Sequence, residues 1–434
     1  MGIYSEEKNL KNLTAKLSVT PSKDHDVVLE ASQVDQRRRS LIGYSAQATG
    51  CRGGCTDSDN RSTREAFSLS HTGRWAIGTS DTYVQRERAE NESREMVITN
   101  TSAKTSLVMP LGDHRLTLGA DFIEEALSDK TSNRISDRTR IDTAKYALFA
   151  EDEWMLTDTF ALTAGARMDD DDDFGSHFSP RLYGVWGFSP RWTLKGGVST
   201  GFRSPSLREI TPDWGQVSRG GNIYGNPDLE PETSVNKELG LYFNAGRDLQ
   251  ANVTVFHNDF EDKITRIACP IEICTDGPNQ FGSDPTYRVN VDEAVTQGVE
   301  AALSTTFYRV LSLNLSYTYT DSEQKSGEYK GEPLNQLPEH LASLQANWQA
   351  TDTVSPWLTV RYRGKESQPT TGPSSSAIIA PSNTLVDAGV GFRISPQAKL
   401  NTGIYNLADR KIFEDEYGYV EDGRRYWLGV TVNF

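Results

Sequence analysis

Apolar and polar residues alternate along most of this chain. In LTAKLSV, Leu13, Ala15, Leu17 and Val19 lie on one face, and Thr14, Lys16 and Ser18 on the other. RLTLGADF places Leu116, Leu118, Ala120 and Phe122 together. LASLQANW sets Ala342, Leu344, Ala346 and Trp348 against Ser343, Gln345 and Asn347. LTVRY sets Leu358, Val360 and Tyr362 against Thr359 and Arg361, and the last segment aligns Tyr426, Leu428, Val430, Val432 and Phe434. A period of two is the pattern of strands with two unlike faces. The segments run to about ten residues, the length of a tilted strand that crosses a bilayer.

Nineteen such strands are predicted, beginning near residues 10, 25, 62, 79, 96, 114, 140, 160, 177, 191, 232, 249, 287, 311, 340, 354, 383, 398 and 424. Their connections alternate in length. TPSKDH, PLGDH, LTDT, FSPR and ISPQA are short, while 38–62, 124–140, 201–232, 262–288, 320–340, 364–383 and 407–424 are long. A soluble sandwich has no cause to alternate so regularly. A bacterial outer-membrane barrel does, with short periplasmic turns and long outer loops. The predicted fold class is therefore all-β, an antiparallel transmembrane barrel with its apolar face on lipid and its polar face on a lumen. Trp154, Trp192, Trp348, Trp357 and Tyr426 stand near strand ends, as interfacial girdles require, although any one of them also suits a core. The competing reading is a soluble all-β protein with the apolar face turned inward. A propeller or solenoid would repeat every 20–50 residues, and no such repeat is found.

Composition narrows the class. The chain has 434 residues, a mean hydropathy of −0.56 and a formal net charge of −15. No run approaches the roughly 18 apolar residues of a membrane helix. The acidic balance argues against nucleic acid as a partner. The 17 Tyr and 8 Trp argue against disorder. The six His (His25, His71, His114, His177, His257 and His340) show no ligand spacing. No P-loop, GxSxG or HExxH occurs, so no catalytic residue is assigned and no enzyme is expected.

The four cysteines form two close pairs, Cys51 with Cys55 in CRGGC and Cys269 with Cys274 in CPIEIC. Local loop disulfides in an oxidising compartment are expected; a four-cysteine zinc site is the disfavoured alternative. MGIYSEEKNL has no apolar h-region, so an exported chain has lost its signal peptide or is a fragment. Strand parity points the same way. With the C-terminus in the periplasm, the first of nineteen strands runs downward, as does the last, and these two cannot close an antiparallel barrel. At least one upward strand is expected to precede it.

Several motifs resemble one family. GFRSPSLREI (201–210), GNPDLEPETS (225–234), QGVE (297–300), YNLADR (405–410) and the terminal Phe434 resemble the signature of TonB-dependent outer-membrane receptors. YALFAEDEW, GARMDD, FSPRLYGVW, ITPDWGQVS, FHNDFEDKITRI and EDGRRYW are similar to the branch of catecholate siderophore and colicin I receptors. The resemblance implies a 22-stranded barrel preceded by a signal peptide, a TonB box and a plug. Residues 1–434 would then be one barrel domain lacking the plug, the TonB box and about three strands. It further implies a receptor that binds and imports ferric catecholate-type siderophores, with iron as cargo and no resident cofactor. Implied partners are the TonB system acting through a plug, outer-membrane lipid and lipopolysaccharide, and colicin-type bacteriocins.

A ferric catecholate is a bulky anion with aromatic rings, so guanidinium groups and aromatic faces suit it. Residues 37–64 carry Arg37, Arg38, Arg39, Arg52, Arg61 and Arg64 against Asp57 and Asp59 in a predicted outer loop. Arg37, Arg38, Arg61 and Arg64 are expected at the lumen or its mouth, steering the ligand; a solvated charge run or a contact with lipopolysaccharide phosphates is the alternative. Loop 201–232 interleaves Arg203, Arg208, Trp214, Arg219 and Tyr224, a second candidate contact. Its Pro, Asn and Asp equally suit turn chemistry. Asp169–Asp173 is a run of carboxylates, expected as a solvated loop tip rather than a calcium site. Other readings are a passive porin or a bacteriocin- or phage-docking barrel, a receptor for cobalamin or haem, and a secreted soluble β-protein such as a glycan-active enzyme.

Overall fold

The computed structural model describes residues 6–40, 58–133, 135–212, 214–216, 221–246, 248–274, 277–279, 284–326, 330–334, 337–368, 378–412, 421 and 423–433. Period-two segments become long strands: β1 (Glu6–Ser22), β2 (His25–Ser40), β3 (Ser58–Trp75), β4 (Gly78–Asn91), β5 (Met96–Leu111), β6 (His114–Asp129), β7 (Arg140–Thr157), β8 (Phe160–Asp171), β9 (Gly175–Ser189) and β10 (Trp192–Arg203). Two short strands, β11 (Gly215–Gln216) and β12 (Ile223–Tyr224), follow in an outer loop. Then come β13 (Glu232–Asn244), β14 (Leu249–Ala268), β15 (Thr286–Phe307), β16 (Leu311–Gln324), β17 (His340–Trp348) and β18 (Val354–Arg363). After the short β19 (Glu366–Gln368) and β20 (Ile378–Ala380), the chain ends with β21 (Asn383–Arg393), β22 (Ala398–Tyr405) and β23 (Arg425–Val432).

The long strands form one meander in which each pairs antiparallel with its neighbours in the chain. There are nineteen of them, and the largest offsets from the expected starts are at Glu6 and Ser58, expected at 10 and 62. The sheet also takes in β11 and β12, and contains 21 strands in all. Among the described residues β1 pairs only with β2 and β23 only with β22, and these two outermost strands run in the same direction. Among the described residues no helix is long and apolar enough to cross a membrane.

Register decides which face each residue takes. Leu17, Leu29, Leu69, Val84, Ala103, Phe122 and Tyr146 are successive cross-strand partners on one face. That face is uncovered: Leu13 is 72% exposed, Leu148 69% and Leu428 70%. Rows of this kind in a soluble protein would be buried. Their exposure on one face of a continuous meander is what a lipid-facing belt requires, and the inward-packed soluble alternative does not describe this fold. Trp154, Trp192, Trp348 and Tyr426 are exposed on the same face. Trp357 is a correction: its register places it on the opposite, lumen face, where its ring covers Gly389 and Gly403.

The lumen face carries the polar set. Arg167 binds both Asp121 and Asp169, Lys145 lies 2.9 Å from Asp171, and Arg181 lies 3.4 Å from Glu151. Lys104 and Arg167 sit over the Phe149 ring, at 5.1 and 5.8 Å from its centroid. The expected solvated loop at Asp169–Asp173 is thereby corrected at two positions, while Asp170, Asp172 and Asp173 are exposed. Asp169 and Asp171 end β8, are buried, and are held by cations rather than by water. Alternation and register make the difference: Asp169 shares the lumen face of β8 with Arg167, two residues away, and Asp171 stands opposite Lys145 of β7.

Cys269 and Cys274 form a disulfide with their Cα atoms 5.9 Å apart. The Pro270 carbonyl accepts the N–H groups of Ile273 and Cys274, each at 3.0 Å, closing the turn that brings the sulfurs together. An oxidised pair offers no thiolates to a zinc ion. Cys51 and Cys55 lie outside the described residues.

Candidate functional site

The outer mouth is built around the segment between β10 and β13. The Ser206 N–H donates to Glu209 Oε2 at 2.7 Å, starting the single turn α1 (Leu207–Ile210). The Thr211 hydroxyl donates to the Leu207 carbonyl at 2.6 Å and ends it. Leu207 and Trp214 then pack onto Leu127 and Ile141, with Met96 and Ile98 at the border. Ile98, Leu127 and Ile141 are cross-strand partners at the outer ends of β5, β6 and β7. They lie on the lumen face, against the polar-in rule, because this segment covers them.

Two ion pairs fix α1 to opposite sides. Arg208 Nη2 donates to Asp129 Oδ2 of β6 at 2.7 Å, and Glu209 Oε1 accepts from Arg288 Nη1 of β15 at 2.5 Å. Further along, Ile223 and Tyr224 pair parallel with Thr286 and Tyr287. The Gly225 N–H donates to the Trp214 carbonyl at 3.1 Å. A Cβ at Gly225 would lie 2.2 Å from the Thr211 carbonyl oxygen, so only glycine fits this close approach in YGNPD. The segment is thus a strap from the β5–β7 wall to β15.

The predicted residues divide between roles. Trp214 is fully covered and Tyr224 is 5% exposed, so neither offers a ring face to a ligand; both hold the strap. Arg208 is engaged with Asp129. Arg203 Nε donates to Glu232 Oε2 at 2.5 Å. That hydrogen bond holds Arg203 above its ordinary pKa. Burial pushes Glu232 up, but Arg203 and the Ile264 N–H outweigh it and the net shift is downward. Arg219 lies outside the described residues.

The four arginines of β2 and β3 do not share a face. Arg37 and Arg61 are direct partners, in register with Leu29 and Leu69, and point outward above the lipid belt. Arg37 is bound by Asp59, and Arg61 lies 3.5 Å from Glu92. Their expected place at the lumen is therefore corrected, since each is an even number of residues from the lipid-facing leucines. Arg38 and Arg64 have the opposite parity and face the lumen side. Arg64 is bound by Glu87. Arg38 stands opposite Lys8, and among the described residues neither makes an ion pair.

Sequence reasoning missed Lys8 and two further cations. Arg266 and Arg288 are cross-strand partners at the outer ends of β14 and β15. Arg288 is half-buried; burial lowers its pKa and Glu209 works against that. Arg266 is exposed and makes no ion pair among the described residues. Extending the period-two count through KITRI and TYRVN would have placed both on the lumen side. On the lumen side of the mouth, Lys8, Arg38 and Arg266 are cations that make no ion pair among the described residues. Among the described residues no cluster of three or more His, Cys, Asp or Glu could hold a metal ion.

Comparison with known proteins agrees with this architecture. The family described as TonB dependent receptor-like, beta-barrel matches residues 15–407. The iron-regulated outer membrane virulence protein of Vibrio cholerae is 54% identical over 429 residues, covering 99% of this chain and 66% of the relative. The ferric enterobactin receptor of Pseudomonas aeruginosa is 29% identical, covering 86% of this chain and 59% of its own length. A crystal structure of a ferric enterobactin receptor variant from Pseudomonas aeruginosa superposes with a TM-score of 0.82 at 25% identity, covering 99% of this chain and 70% of that one. The chain spans at most about two thirds of the length of these curated relatives. With its lipid-facing belt, lumen-facing polar network and strapped outer mouth, the chain belongs to the TonB-dependent receptor β-barrel family and is an outer-membrane protein.

Proposed function

We propose that this barrel binds a ferric catecholate-type siderophore at its outer mouth, for import driven by the TonB system through a plug domain. The observation that carries the reading is the set of unneutralised lumen-side cations, Lys8, Arg38 and Arg266, in a chain similar to ferric enterobactin receptors. Each catecholate ring is a dianion that offers oxygens to guanidinium forks and a flat face for stacking. The net charge of −15 makes a local cationic mouth the more selective, because the field elsewhere repels anions. The iron arrives inside the ligand and needs no protein ligands, so the residues present suit recognition of an intact complex. Colicin-type bacteriocins are proposed as further occupants of the outer loops, in line with the resemblance to their receptors.

The test is binding of ferric enterobactin, vitamin B12 and haem to the purified barrel, followed by fluorescence quenching. Saturable quenching by the ferric catecholate alone supports the reading. Saturation by vitamin B12 or haem, with none by the catecholate, rejects it.

A further inference from the structure

The lumen face is not uniform around the meander. On β6 to β9 the lysine and arginines that face the lumen, Arg115, Lys145, Arg167 and Arg181, all end on carboxylates. The wall of β18 and β21 to β23 is built differently. Gly389 and Gly403 are cross-strand partners there, with Trp357 opposite Gly389 and Trp427 opposite Gly403. The indoles lie across these glycines. Trp357 Cζ2 would stand 2.6 Å from a Cβ on Gly389 and 2.9 Å from one on Gly403, and Trp427 Nε1 2.5 Å from the latter. A side chain at either position would lift a ring off the sheet. Tyr405 continues the row, its ring centroid 6.1 Å from that of Trp427 and 6.3 Å from that of Trp357.

Cations stand at both ends of the ring row. Arg425 is the cross-strand partner of Tyr405, and its guanidinium sits over that ring, 5.5 Å from the centroid. Below, at the short turn, Arg393 and Lys399 are partners on the same lumen face. Both are exposed, and neither makes an ion pair among the described residues. Asp387, the one carboxylate of these four strands, is buried. It is held by Arg361 at 2.9 Å and by the Asn406 N–H at 2.7 Å. From Tyr405 down β22 to Lys399 is roughly 20 Å of strand. Rings flanked by cations thus form one stripe from the upper lumen toward the periplasm.

We infer that a ferric catecholate leaving the outer mouth passes down this stripe, its rings stacking on Tyr405, Trp357 and Trp427 while its oxygens move from Arg425 to Lys399 and Arg393. The inference rests on the reading of the mouth given above and adds the route. A flat anion is held by a ring face together with a cation. Offset stacking accepts a range of positions, so a row of rings holds the ligand without fixing one pose. On β6 to β9 the cations are already satisfied, and the Phe149 ring is covered by Lys104 and Arg167. That wall offers a passing anion neither contact.

The full chain, labelled with fluorotryptophan and held in mild detergent, is titrated with ferric enterobactin, whose iron is paramagnetic, and with its diamagnetic gallium analogue. Trp214→Phe, Trp357→Phe and Trp427→Phe assign the fluorine resonances. The ferric complex alone is expected to broaden Trp214 at the strap first, then Trp357 and Trp427 at higher concentration, leaving lipid-facing Trp154 and Trp348 sharp. Arg393→Gln combined with Lys399→Gln, two exposed changes that leave the rings in place, is expected to raise the concentration that broadens Trp427 about fivefold while that for Trp214 stays. Broadening of Trp214 with Trp357 and Trp427 sharp throughout overturns the route and leaves the mouth standing. An unchanged Trp427 titration in the double variant overturns it as well, as does equal broadening of Trp154, which marks ligand dissolved in detergent. If a relative's plug domain, added in trans, abolishes the broadening at Trp357 and Trp427, the wall is the plug's seat and the route is wrong. No broadening at any tryptophan removes the mouth and the route together.

Discussion

Arg208 donates to Asp129 at 2.7 Å across 79 positions of sequence, tying the strap to the outer end of β6. Asp129 is 1% exposed, so removing the arginine leaves a carboxylate in the protein without its counter-ion. Arg208→Ala is expected to destabilise the strap by about 2 kcal/mol, because Ser132 and Thr131 still donate to Asp129. Limited proteolysis within 204–231 checks this: faster cleavage is expected, with the barrel itself uncut.

The same carboxylate gives the strap a pH dependence. Burial pushes Asp129 up, but the donors Ser132 and Thr131 and the charge of Arg208 outweigh it, and its pKa falls below the ordinary 3.8. A depressed carboxylate contributes stability in full above the unfolded value and loses it as pH falls through the folded one. Cleavage of the strap by an acid-active protease should therefore rise only below about pH 4. Asp129→Asn should remove that step. A step near neutral pH in wild type would assign it to another group.

Trp214 fills the space between Leu127, Ile141 and Leu207 and is fully covered. Trp214→Ala should cost about 3–5 kcal/mol of local stability through the cavity it leaves. Hydrogen exchange at Ile98, Leu127 and Ile141 reports it, and unchanged protection there would show that the strap does not cover these residues.

Binding separates the faces of β2. Arg38→Ala and Arg266→Ala should each weaken catecholate affinity by about 1 kcal/mol, or about fivefold, and more at low salt. Arg37→Ala, on the outward face, should leave affinity unchanged. Equal losses at Arg37 and Arg38 would reject the lumen-side mouth as the site.

Much of the fold was legible in the sequence because a strand's facing depends only on local alternation. That is why nineteen strands could be placed, and why Leu13, Leu118 and Leu428 lie on the expected face. Facing failed where alternation carried a second demand. Ile98, Leu127 and Ile141 are apolar on the lumen side because of a strap 66 or more residues later, and Trp357 fills space above two lumen-face glycines. The site was less legible. Arg208, Trp214 and Tyr224 form a cation-and-ring composition, but their partners are fixed by contacts far along the chain. Arg37 and Arg38 are adjacent in sequence and opposite in space, a division that a residue count without register cannot make.

The outward belt can be read directly on β17. Nitroxides at Ala342, Leu344 and Ala346 should collide with membrane-dissolved oxygen, and those at Ser343, Gln345 and Asn347 with a water-soluble nickel chelate, alternating residue by residue in reconstituted bilayers. Oxygen access at every position, at none, or at the Ser343–Gln345–Asn347 set would contradict a lipid-facing belt around a wet lumen.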